Sequence, residues 1–117
     1  MLISVLRAKI HRATVTDANL EYEGSLTVDS TLMELARLFP YEKIHVYNVT
    51  NGARFETYLI PGPPGSDMIC VNGAAARLAS KGHKIIIAAY ALLKPEEMAG
   101  HEPQVILLDE HNRPKKK

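Results

Sequence analysis

The sequence predicts a mainly β domain with two or three short helices, and three observations carry that prediction. Leu20, Tyr22, Leu26 and Val28 keep a period of two on either side of Gly24-Ser25, the alternation of a half-buried strand. Asn51-Gly52 separates two strand-like runs, residues 44–49 and 54–60, and tolerates the positive φ of a tight hairpin turn. With no Trp and two Phe, the core has to be built from Ile, Leu, Val and Ala, which suits a small barrel or sandwich.

The elements follow in order. Residues 2–16, rich in Ile, Val, Leu and Thr, read as one or two strands closed by the turn-forming run Asp17-Ala18-Asn19. The next strand pattern runs straight through Gly24-Ser25, where the glycine points to a bulge or unusual backbone. Thr31-Leu-Met-Glu34 has the spacing of a capping box, and Leu32, Leu35, Ala36 and Phe39 mark the apolar face of a short helix stopped by Pro40. Pro61-Gly-Pro-Pro-Gly-Ser66 cannot sustain a regular ladder and is expected as an exposed loop before a strand at 68–71, which Asn72-Gly73 then breaks. Residues 74–79 favour a helix with 80–83 as its terminating turn, and 84–93 read as a buried strand. Residues 95–99 add a helical turn, 105–108 a last strand, and 109–117 a polar, frayed end.

At 117 residues and 46% hydrophobic content the chain, 1–117, is expected to form one domain, and so small a core leans on oligomer contacts. Fourteen Lys and Arg nearly balance 13 Asp and Glu, and the one basic run is residues 115–117, so no nucleic acid partner is expected. Arg7, Lys9, His11 and Arg12 interrupt the apolar start in a way a signal peptide does not. The longest apolar stretch, 85–93, falls short of the ~20 residues a bilayer requires, so no membrane partner is expected. A lone cysteine, Cys70, excludes an intrachain disulfide and suits a reducing compartment, with the cytoplasm as default. Set in an apolar run, it reads as a small buried hydrophobe. His11, His45, His83, His101 and His111 show no metal-ligand spacing with one another or with Cys70, so no metal is expected.

What remains for chemistry is a set of polar residues at strand positions: Gly24-Ser25, then Arg54, Thr57 and Tyr58 after the hairpin turn, then Asn72-Gly73 before a run of alanines. Taken singly, each has an ordinary reading as a bulge, a cross-strand pair or a turn. Taken together, His11-Arg-Ala-Thr-Val-Thr-Asp-Ala-Asn-Leu-Glu-Tyr-Glu-Gly-Ser25, Asn48-Val-Thr-Asn-Gly-Ala-Arg-Phe-Glu-Thr-Tyr58 and Val71-Asn-Gly-Ala-Ala-Ala-Arg77 resemble the three motif blocks of the bacterial aspartate 1-decarboxylase family. The resemblance runs from the first strand to about Asn112. The Pro61 to Pro64 loop and the basic tail depart from it.

That resemblance implies an all-β fold, a six-stranded double-psi barrel, assembled as a homotetramer with sites between neighbouring subunits. It implies self-cleavage between Gly24 and Ser25 into residues 1–24 and 25–117, leaving a covalent pyruvoyl group derived from Ser25 and using neither metal nor pyridoxal phosphate. The Ser25 hydroxyl would attack the Gly24 carbonyl, with glycine tolerating the strained torsions involved. L-Aspartate would then form a Schiff base at position 25, lose its α-carboxylate and leave as β-alanine, supplying pantothenate and coenzyme A synthesis. Thr57 would donate to the oxygen of Gly24 during processing and contact substrate, Tyr58 would return the proton, and Arg54 or Lys9 would clamp a carboxylate. Asn72, Gly73, Ala74 and Ala75 would form the far wall, and Tyr22 and Glu23 would brace the junction or merely pair across strands. An ideal strand puts Thr57 and Tyr58 on opposite faces, so one site can use both only through a twist, a bulge or two subunits. A small β-barrel binding module that keeps Ser25 uncut, and a homologue that cleaves without turnover, are the competing readings.

Overall fold

The computed structural model describes residues 1–115. Its strands are β1 (Ile3–Thr14), β2 (Asp17–Asn19), β3 (Ser25–Asp29), β4 (Lys43–Asn48), β5 (Arg54–Gly62), β6 (Ile69–Asn72), β7 (Lys84–Leu93) and β8 (Gln104–Leu107). One short helix, α1 (Ser30–Leu35), and 3₁₀ helices at Gly73–Arg77 and Pro95–Gly100 complete the elements of the described residues. The class is all-β, as expected, but eight strands rather than six stand in the hydrogen-bonded order β2-β6-β3-β5-β4-β7-β1-β8. Only Val15 and Thr16 separate β1 from β2. Val15 N–H donates to the His83 carbonyl just before β7, and Thr16 N–H to the Ile69 carbonyl of β6. One stretch of chain therefore touches both sides of the strand order.

The core follows from period-two alternation. Ile44 and Val46 of β4, Leu59 of β5, Leu26 and Val28 of β3, Ile69 and Val71 of β6, and Ile85 and Ile87 of β7 are all buried, each stabilising the fold by roughly 1.5–3 kcal/mol. Lys43, His45 and Tyr47 then share the opposite face of β4, as Arg54, Glu56 and Tyr58 do on β5. The hairpin forms, but through a loop over residues 49–53 rather than a tight turn at Asn51-Gly52: Gly52 alone of the two is at positive φ, at 78°, and Tyr47 pairs with Arg54.

Several expectations are corrected by contacts distant in sequence. Asp17-Ala18-Asn19 is not a turn but β2, paired in parallel with Cys70, Val71 and Asn72. The strand pattern before Ser25 is not a strand: residues 20–24 form an exposed bend, opened by an Asn19 side chain accepting from Glu21 N–H, and Tyr22 is 62% exposed. The α1 cap is Asp29 rather than Thr31; its carboxylate accepts from Thr31 N–H, and the helix ends before Arg37, at φ 57°. Leu35 and Phe39 lie exposed while Leu32, Met33 and Ala36 face the core. Pro61 and Gly62 belong to β5, in parallel register with Val28 and Asp29. β6 runs through Asn72, so Gly73 alone breaks it, and the alanine run is 3₁₀. β7 is buried only in its first half; Tyr90 and Leu92 are exposed. The end is not frayed over its described part: buried Asn112 bonds Thr14 and Asp67, and Leu108 bridges Pro114. Lys116 and Lys117 lie outside the described residues.

Candidate functional site

Ser25 opens β3 and is 6% exposed, whereas Gly24 just before it lies in the open. The step from exposed bend to buried strand thus falls on the Gly24-Ser25 peptide. Ser25 pairs with Asn72 across the antiparallel β3–β6 ladder, and Asn72 Nδ2 donates to Ser25 Oγ at 3.2 Å and to Thr27 Oγ1 at 3.1 Å. The other end of that amide is also occupied, since the Cys70 thiol donates to Asn72 Oδ1 at 3.2 Å. The two ends together fix the amide with its N–H groups toward Ser25. Cys70 is thus only half-buried and hydrogen-bonded, not the buried hydrophobe its sequence neighbours suggest; burial and the nearby Asp17 carboxylate push its thiol pKa up, keeping it a donor.

The backbone constraint lies at Gly73, not Gly24. Gly24 is outside the positive-φ region and a Cβ there would meet nothing within 4 Å. Gly73 sits at φ 68°, and a Cβ on it would fall 2.6 Å from Gly24 Cα and N and 2.9 Å from the Tyr22 carbonyl. Only glycine lets the start of the 3₁₀ helix press against the junction. Ala74 is exposed and Ala75 is half-buried against the core.

β5 lies between β3 and β4. Its parallel register with β3 begins at Leu26 and Leu59, so Thr57 and Tyr58 stand on β5 just ahead of the paired stretch, as Ser25 does on β3. Against β4 the register is unbroken from Arg54 to Tyr58, which removes a bulge as the means of turning Thr57 and Tyr58 to one side. Tyr58 is 37% exposed on the outer face, and Thr57 lies on the other face of the strand with Leu59.

Arg54 shares the outer face of β5 with Tyr58, about 13 Å along the strand at ~3.3 Å per residue. Its guanidinium lies over the Tyr47 ring, 4.5 Å from the centroid, so it leans toward β4 and away from β3 and Ser25. Tyr47 hydroxyl meets Tyr90 hydroxyl at 2.6 Å, and the two rings line a cavity of about 180 Å³ with Lys9, Leu6, Ile86 and Ala88. Lys9 and Arg54 are thus gathered around the Tyr47–Tyr90 pair, while Ser25, Asn72 and Tyr58 form a second group. The sequence reasoning missed both tyrosines. A tight two-residue turn at Asn51-Gly52 would have set Tyr47 opposite Glu56; the longer loop between β4 and β5 shifts the register by two and brings it opposite Arg54.

His11 is half-buried, and its Nδ1, out of reach of solvent, has no hydrogen-bond partner among the described residues. Burial, and then the positive charges of Lys9, Arg12 and Lys115, hold its pKa below the usual histidine value. Among the described residues no group of three His, Cys, Asp or Glu side chains stands together for a metal, and no helix is long and apolar enough to cross a membrane.

Comparison with known proteins matches the sequence to one family. The family model described as aspartate decarboxylase matches residues 1–115. A protein of Syntrophobacter fumaroxidans named aspartate 1-decarboxylase is 61% identical over 110 residues, covering 94% of this chain and 89% of its own. Proteins of the same name from Leptospira biflexa and Lactiplantibacillus plantarum are 56% and 57% identical, the first over 99% of both chains, the second over 97% of this chain and 87% of its own. Matched by the family model over residues 1–115 and by relatives at 56–61% identity over most of its length, the chain belongs to the aspartate decarboxylase family.

Proposed function

We propose that this member of the family cleaves itself between Gly24 and Ser25 and then decarboxylates L-aspartate to β-alanine and carbon dioxide, the step that supplies pantothenate and coenzyme A synthesis. The observation that carries the reading is the pairing of a buried, donor-faced Ser25 with an exposed Gly24 across one peptide bond. The Ser25 hydroxyl attacks the Gly24 carbonyl through a five-membered ring and the amide becomes an ester. Thr57, on β5 two residues before the stretch paired with β3, is the donor assigned to the oxyanion. Loss of the Ser25 α-proton then expels the ester oxygen as part of the Gly24 carboxylate, and hydrolysis of the resulting dehydroalanine releases ammonia. The departing oxygen is the one that Asn72 already holds.

A small ketone at position 25 fits the site: the residue is buried, and its ladder neighbour Asn72 presents N–H donors. The pyruvoyl group supplies an electron sink for the pair left behind as carbon dioxide departs. Tyr58, on the outer face of β5, returns the proton to the substrate α-carbon. Arg54 offers its fork to the retained β-carboxylate, with Lys9 as the second cation. Asn72, Gly73, Ala74 and Ala75 wall the far side.

Because Arg54 leans away from Ser25 of its own chain, the site is completed between neighbouring subunits of a homotetramer. The barrel reading goes with it. Counting β1 and its continuation β2 as one strand gives a ring of six, β1/β2, β6, β3, β5, β4 and β7, as a double-psi barrel requires, and the bonds of Val15 and Thr16 support it. The reading needs no metal, pyridoxal phosphate, nucleic acid or membrane, and places the reaction in the cytoplasm. Intact mass is the test. Two fragments, the larger blocked at position 25, are expected, and a single 13.0 kDa chain after prolonged warm incubation would overturn self-cleavage. Equal turnover of glutamate would overturn the substrate.

A further inference from the structure

We infer that Tyr47 and Tyr90 are positioning residues that hold the Arg54 guanidinium at a fixed reach and thereby set which dicarboxylate the site accepts. The inference rests on the assignment of Arg54 as the clamp for the retained carboxylate.

Arg54 forms no ion pair among the described residues. Glu56, the acid on the same face of β5, is engaged instead by Lys43 at 3.4 Å and His45 at 3.5 Å. The cation therefore keeps its donor fork free, and its contact is the face of Tyr47. That ring is itself tethered, because its hydroxyl is bonded to Tyr90 on β7, and Tyr90 is met edge-on by the His45 ring, 5.1 Å between centroids. A line of contacts thus runs from β5 through β4 to β7, and the guanidinium sits at its end. Hydrogen bonding to Tyr47 and burial, ahead of the opposing charge of Arg54, push the Tyr90 phenol up, which keeps its proton for the bond to Tyr47. Holding a long side chain in place beforehand removes ordering entropy that binding would otherwise cost. A fork held at one reach also tells aspartate from a dicarboxylate one methylene longer, by the roughly tenfold margin a single methylene can give.

The test compares the matured wild type with Tyr90→Phe, Tyr47→Ala, Tyr47→Trp and Arg54→Ala. Each is checked by mass for complete maturation. KM and kcat are read for aspartate and glutamate, and the calorimetric Kd for succinate, a dicarboxylate without the reacting amine. Tyr90→Phe and Tyr47→Ala are expected to raise KM for aspartate and Kd for succinate about five-fold, to narrow the preference over glutamate, and to leave kcat within about twofold. Tyr47→Trp, which keeps an aromatic face, should recover most of the loss. If Arg54→Ala binds succinate like wild type, the clamp assignment falls. If Arg54→Ala loses succinate while Tyr47→Ala and Tyr90→Phe keep wild-type affinity, the positioning role alone is overturned. Should Tyr47→Ala fail to mature, Tyr90→Phe, which removes a single oxygen, decides the matter.

Discussion

The junction around Ser25 and the cationic cluster around Arg54 are built in different ways. At the junction the constraints are backbone: Gly73 presses on Gly24, the β3–β6 ladder sets Ser25 against Asn72, and side chains only finish the arrangement. At the cluster the strands are ordinary, and stacked side chains do the placing. A backbone-built site tolerates almost no added atom, whereas a side-chain-built one tunes gradually. That contrast matches the two tasks assigned to them, a single irreversible bond rearrangement and repeated capture of a small acid.

The contrast can be broken most decisively at Ser25. Ser25→Ala is expected to abolish self-cleavage, leaving one 13.0 kDa chain by mass, while succinate still binds the Arg54 cluster by calorimetry. Gly73→Ala comes next. Strain at positive φ and the 2.6 Å clash should lower stability by about 1–2 kcal/mol in denaturant melts and slow cleavage at least ~10-fold by timed mass spectra. Cys70→Ala frees the Asn72 amide to turn and should slow cleavage about threefold, with Cys70→Ser restoring it, both without a change in succinate affinity. The smallest effect is graded. Burial pushes Asp29 up, yet N–H groups of Asp67, Thr31 and Gly65 outweigh it and hold the carboxyl below the usual aspartate range. Its contribution to stability is therefore present above that range and lost as pH falls through the depressed folded value. Asp29→Asn should flatten the acid limb of a stability profile and lower its plateau.

How much of this was legible in the sequence depended on how local the cause was. The hairpin was legible because Asn51-Gly52 marks its loop within a few residues, and the apolar runs on either side and at 84–93 marked β4, β5 and β7 as strands. Leu20 and Tyr22 misled, because a period of two costs nothing in an exposed bend, and the contact that fixes the bend comes from Gly73. Asp17-Ala18-Asn19 looked like a turn because its partner strand lies 53 residues away. The motif residues were found by resemblance, yet their division into two groups was not. It depends on which side of β5 Arg54 leans, and that is decided by Tyr47 across the ladder.

β1 lies between β7 and β8, and β2 is bonded to β6. A chain severed after Gly24 therefore keeps its short piece woven through the sheet, losing one covalent bond and no buried strand. Unfolding is another matter. An uncut chain would have all its strands in one molecule when it refolds, but a severed one would have to find its missing strands by diffusion, so its recovery from denaturation would depend on concentration. Cleavage at that one bond would thus convert a protein that can rebuild itself into one that holds its shape chiefly by never letting go.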